Sequence, residues 1–148
     1  MLDIEAGVAL RRDNVDAVKA YLEAINRWDF AAMRRLLHPA VTYALPYAPP
    51  GFARRTQGRE AVMAFLESIP ATVVDGSENL QDVRIEAFAS DPNELLAEYT
   101  SDMKLIPTGR RYRNEYLTRL TMSEGYILHF REYFDPIRLV AALESGPQ

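Results

Sequence analysis

The stretch SEGYILHFREYFDPIRLVAAL, residues 123–143, decides how the chain is read. Ser123-Glu124-Gly125 reads as a three-residue turn with glycine at the third position, where a left-handed backbone is needed. YILHFREYF then reads as a strand, and Asp135-Pro136 as an N-cap with proline at the first helical position of a closing helix, IRLVAAL. Within the strand, Glu132 stands among Phe130, Tyr133 and Phe134, where a carboxylate is costly to bury.

Working back towards the N-terminus, PTGR, residues 107–110, reads as a four-residue turn into RYRNEYLTRLTM, residues 111–122. The strand before it carries Leu95, Ala97, Tyr99, Ser101, Met103 and Leu105 on one face. A still earlier strand alternates Val83, Ile85 and Ala87 with Asp82, Arg84 and Glu86. The period thus changes from helical to alternating after Gly76, as in a half-buried antiparallel sheet. Turns of those lengths set Tyr116 opposite Glu132, Thr118 opposite Phe130, Ser101 opposite Tyr116 and Met103 opposite Asn114. Glu132 is expected to point inward in an aromatic face with a narrow polar band. Ile127, His129, Arg131 and Tyr133 are expected on the opposite face, a mixture suited to partial exposure or a subunit contact.

The first half reads as helical. Asp13 or Asn14 caps a helix with Val15, Val18, Leu22 and Ile25 at helical spacing, Tyr21 on the edge of the stripe, and an end near Arg27. Asp29 caps a short second helix that Pro39 closes at His38. VTYALPY, residues 41–47, reads as a short strand, and APPGFARRTQG as a loop whose Arg54 and Arg55 are either solvated or a lid able to clamp a carboxylate. A third helix runs from about Arg59 to Ile69.

The 148 residues suit one domain, 1–148, with 48% hydrophobic and 10% aromatic residues. A net charge of -4 argues against nucleic-acid or anionic-membrane surfaces. The absence of cysteine excludes thiol chemistry and disulfides, and two histidines are too few for a histidine-rich metal site. With no leader or spanning segment recognised, the expected location is the cytoplasm. No phosphate loop, nucleophile elbow or dinucleotide fingerprint occurs, which favours cofactor-free chemistry or plain binding.

Glu132 has two readings. One is a carboxylate satisfied within a structural network; the other is a general acid or base whose pKa an apolar pocket raises. Tyr21 is a core residue unless its hydroxyl meets a cavity, where it could donate to an oxyanion. His38 is expected at a helix end, and Asp135 as a cap.

The order of elements, with AYLEAINRWDFAAMRRLLHPAVTYALP and SEGYILHFREYFDPIRLVAAL at its two ends, resembles the nuclear transport factor 2-like superfamily in its SnoaL-like branch. The resemblance implies an α+β cone, a curved mainly antiparallel sheet wrapped around N-terminal helices with an internal pocket, and a homodimer through the outer sheet face. By that resemblance Tyr21 matches the first-helix tyrosine of ketosteroid isomerases, and Asn114 falls near their second oxyanion acid. Leu45 precedes Pro46 where those enzymes carry their aspartate base, and Glu132 matches the pocket glutamate of phenazine-biosynthesis proteins. The implied pocket is lined by Tyr21, Leu45, Phe65, Tyr99, Tyr116, Phe130 and Glu132. It suits a small hydrophobic molecule, acted on by a cofactor-independent isomerase or cyclase with Glu132, Tyr21 and Asn114 as catalytic groups. The alternative is a non-catalytic ligand-binding or scaffold protein in which Glu132 is structural.

Overall fold

The structure, a computed structural model, describes residues 4–73 and 80–144. Helix α1 (Ile4–Arg27) comes first, followed by α2 (Phe30–Leu36), β1 (Leu37–Ala44), β2 (Arg55–Gln57) and α3 (Arg59–Ser68), which continues into a single 3-10 turn (Ile69–Thr72). Four strands and a closing helix complete the order: β3 (Leu80–Phe88), β4 (Asp91–Lys104), β5 (Arg111–Ser123), β6 (Tyr126–Phe134) and α4 (Pro136–Leu143). The strands form one sheet in the order β2-β1-β6-β5-β4-β3, antiparallel throughout except where β1 runs parallel to β6. Helix α1 lies against β3 and β4, and α3 against β1.

Helix α1 begins well before the expected cap. Asp13 and Asn14 lie inside it, and the buried Asn14 amide donates to Pro92 O (2.8 Å) and Asn93 Oδ1 (3.0 Å), tying the helix to the start of β4. The inward stripe is as the spacing predicts, with Val18, Tyr21 and Leu22 buried, but Tyr21 is central to it rather than marginal. Asp29 caps α2 by accepting from Ala32 N. The helix stops earlier than expected because Leu37 is already extended and His38, preceding proline, is held out of the helical region. His38 is therefore a strand residue whose Nδ1 accepts from Ala40 N, not a helix end. Arg54 donates from Nε to Ala48 O and so pins its own loop, while Arg55 opens β2.

Both hairpins differ from the sequence expectation. The β5–β6 connection is a two-residue turn at Glu124 (φ 51°) and Gly125 (φ 83°), with Ser123 paired to Tyr126, and a bulge at Leu128 shifts the register once more. The β4–β5 connection takes six residues rather than four, Lys104 pairing with Arg111. Each change moves the register by two residues in total, so Tyr116 faces Phe134 and Tyr99, Thr118 faces Glu132, and Ser101 faces Asn114. Because side chains alternate with a period of two, the inward set survives. The bulge does turn Ile127 inward, where it is fully buried and not on the outer face. Val83 also departs from its strand partners: a bulge beside Asp82 (φ 54°) leaves it 39% exposed, while Ile85 and Ala87 pack on the core. Gly76, where the period was read to change, lies outside the described residues.

Two apolar clusters result. The larger joins α1, α2, α3 and the inner sheet face; the smaller joins Val73, Leu105, Tyr112 and Ala142 under α4. Among the described residues no helix is long and apolar enough to cross a membrane.

Candidate active site

Three inward rows cross β4, β5 and β6: Leu95–Leu120–Phe130, Ala97–Thr118–Glu132 and Tyr99–Tyr116–Phe134. The first row is sealed in the larger cluster, whereas Glu132, Tyr116 and Phe134 keep partial exposure. Exposure on the inner face therefore rises along β5 and β6 from the first row to the third.

Glu132 has a defined partner. The Tyr99 hydroxyl donates to Glu132 Oε2 and lies 2.7 Å from Thr118 Oγ1. Because the Tyr99 proton is directed at the carboxylate, Thr118 serves as donor to Tyr99. Burial raises the Glu132 pKa to about 7, against the downward pull of the Tyr99 hydrogen bond. Burial, reinforced by the charge of Glu132, raises Tyr21 and Tyr99 well above the ordinary phenol range, so both remain protonated donors. Tyr116 is also raised well above it, by burial first.

The expected site residues separate into three groups. Tyr21, Tyr99, Tyr116 and Phe130 gather around Glu132: Tyr21 meets Phe130 edge-on (6.0 Å between ring centres), and Tyr99 stacks on Tyr116 (5.2 Å). Leu45 and Phe65 are half-buried and have other neighbours. Leu45 follows β1 directly, its N–H bound to Arg54 O, and Phe65 of α3 meets Tyr43 edge-on. Asn114 is set apart, its amide donating to Tyr112 Oη (2.7 Å) and Asp135 O (2.9 Å) and accepting from Glu115 N and Asp135 N. Among the described residues it is linked to the site through Tyr112, whose hydroxyl accepts from that of Tyr116. Asp135 caps α4 by accepting from Ile137 N.

Sequence reasoning missed two participants. Thr118 was placed on the right face but opposite Phe130. Tyr43 shares inward parity with Val41 in VTYALPY, a usable signal, but only the parallel pairing of Tyr43 with Phe130 brings its ring onto Phe130, stacked at 4.1 Å. The hydroxyls of Tyr21 and Tyr43 are buried and have no hydrogen-bond partner among the described residues. No group of three or more His, Asp or Glu side chains able to hold a metal occurs among the described residues.

A carboxyl group that titrates near neutrality, phenol donors and an aromatic wall form an acid/base constellation. Residues 18–130 match the SnoaL-like domain family. The chain belongs to that family. An uncharacterised PhzA/B-like protein of Pseudomonas aeruginosa is 31% identical over 108 residues, 73% of this chain and 74% of the relative. The crystal structure of a phenazine biosynthesis-related protein of Pseudomonas aeruginosa superposes with a TM-score of 0.79 at 20% identity, covering 99% of this chain and 95% of the other. An NTF2-like protein of Burkholderia xenovorans gives 0.70 at 18% identity over 90% and 97%. These likenesses establish the SnoaL-like, nuclear transport factor 2-like cone fold; residue roles rest on the geometry above.

Proposed function

We propose that this SnoaL-like protein is a cofactor-independent acid/base isomerase or cyclase acting on a small hydrophobic, carbonyl-containing metabolite. The observation that carries the proposal is the Glu132 carboxyl group, raised to about 7 and held at one oxygen by Tyr99. A base of that pKa is present in both protonation states near neutral pH, as reversible proton transfer requires. Ionised Glu132 removes a proton from the carbon next to a carbonyl, and the same group returns it at another position. The Tyr21 hydroxyl donates to the oxygen on which charge develops, and Tyr116 walls the site. Asn114 acts at a distance, holding Tyr112 against Tyr116.

Deuterium exchange tests this without a known substrate. Simple aryl ketones incubated with the protein in deuterium oxide should exchange their α-protons faster than in buffer. Glu132→Gln should lose that acceleration by roughly 100-fold or more while still binding ketone. The second reading, a ligand-binding protein, is favoured by the fact that Glu132 already has a partner in Tyr99. It predicts no exchange by the parent and a loss of folding in Glu132→Gln.

A further inference from the structure

Three polar side chains from three elements surround the Phe130 ring or its strand: Tyr21 of α1 edge-on, Tyr43 of β1 stacked, and Glu132 two residues along β6. Both phenols are buried, at 0% and 3% exposure, and neither hydroxyl has a partner among the described residues. A buried unpaired hydroxyl is costly, and native folds seldom keep one without a use. The charge inventory is equally specific. Among the described residues the Glu132 charge acts on Tyr21, Tyr99, Tyr112 and Tyr116, and no lysine, arginine or histidine acts on its carboxyl group. Among the described residues the polar side chains that are buried as a whole, Asn14, Ser101, Asn114 and Thr118, are neutral, while Arg59 of α3 has a buried Nε and a part-exposed side chain that pairs with Glu60.

We infer that the site takes a neutral ligand bearing an oxygen acceptor, not a carboxylate or phosphate, and that Tyr43 is a second phenol donor that selects for that oxygen. The inference rests on reading the Glu132 region as a ligand site. An anionic ligand beside Glu132 would meet a carboxyl group on which no cation acts among the described residues, and which is largely ionised above pH 7. A neutral carbonyl can receive a hydrogen bond from each of two phenols, and burial raises the Tyr21 pKa well above the ordinary phenol range, which keeps that donor protonated. Phe130 and Phe65 supply apolar contact.

Acetophenone, ethylbenzene and benzoate share a shape and differ only in the polar group, so they separate the terms. Ligand-observed NMR at pH 8 should show the parent binding acetophenone at least fivefold more tightly than either of the others. Tyr43→Phe should cut the acetophenone-to-ethylbenzene affinity ratio about fivefold while leaving ethylbenzene binding unchanged. Its melting temperature should equal or exceed the parent's, because the hydroxyl lost had no internal partner. Benzoate binding as tightly as acetophenone, no ketone preference, no binding of any of the three, or a destabilised Tyr43→Phe would each overturn the inference. Ketone selectivity without deuterium exchange would defeat the proposed catalysis alone; exchange that depends on Glu132 with selectivity indifferent to Tyr43 would defeat this inference alone.

Discussion

The decisive property of Glu132 is that its folded pKa, about 7, lies above the unfolded value of roughly 4.3. The protonated form is the one the fold prefers. Its contribution is therefore fully present below pH 4 and is lost as pH rises through the unfolded and then the folded value. A shift of this size corresponds to on the order of 3 kcal/mol. Glu132→Gln has no ionisation to lose. The stability difference between variant and parent should accordingly move in the variant's favour by about that amount between pH 4 and 7 and then level off. Urea unfolding at fixed protein concentration across this range measures it, and a flat difference would place the carboxyl in water or beside a cation. Tyr99→Phe gives a second check with the opposite logic. The Tyr99 bond lowers the Glu132 pKa, so its removal should raise the value further, observable as a later carboxyl carbon-13 titration. An unchanged titration would mean that Tyr99 does not hold the carboxyl group in solution.

At the scale of elements, the turn Glu124-Gly125 fixes where β6 begins, and its two positive φ values are met by one residue suited to them and one that is not. Glu124→Asn should stabilise the fold by a few tenths to about 1 kcal/mol, since asparagine tolerates the left-handed region. Gly125→Ala should destabilise it by about 1 kcal/mol. Denaturant midpoints shifting in these directions at constant slope would confirm the turn; equal effects from both substitutions would refute it. The same turn explains what could be read in the sequence. Glycine marked its place but not its length, and nothing in YILHFREYF distinguishes the bulge at Leu128 from regular strand. Alternation nevertheless set the faces, so Glu132, Tyr99 and Thr118 were placed inward despite pairs displaced by two residues. Ile127, lying between turn and bulge where the displacement is odd, went to the wrong face. Local caps were legible at Asp29 and Asp135, whose signals span only a few residues. The contact of Tyr43 with Phe130 was not, because a parallel pair between the ends of the chain has no local turn to announce it.

At the scale of the molecule, the sheet has one face in the core and one outside. On the outer face charges pair across strands: Arg113 and Arg111 with Asp102, and Arg119 with Glu94. Between these pairs Leu117 is 41% exposed, and Tyr47 rests edge-on against Tyr133 beside it. These three residues line a concavity of about 560 Å³ that also reaches Tyr99, Tyr116 and Phe134 at the end of the inner rows, though not Glu132 or Tyr21. Leu117 and the two aromatic residues offer apolar contact, and Arg84 and Glu98, facing each other across β3 and β4 on the same concavity, offer charges of both signs to a second copy. We propose that two copies associate through this face about a two-fold axis, with Leu117 near its centre and His129 and Tyr133 at its margin, Ile127 taking no part. A closed symmetric contact places each residue beside its counterpart, so a charge introduced at Leu117 would meet its own copy. Leu117→Glu should weaken association at least tenfold, read as a shift from dimer to monomer in light scattering over micromolar concentrations. A parent that remains monomeric throughout that range would sink the proposal. A Leu117→Glu dimer as tight as the parent's would move the interface to another face.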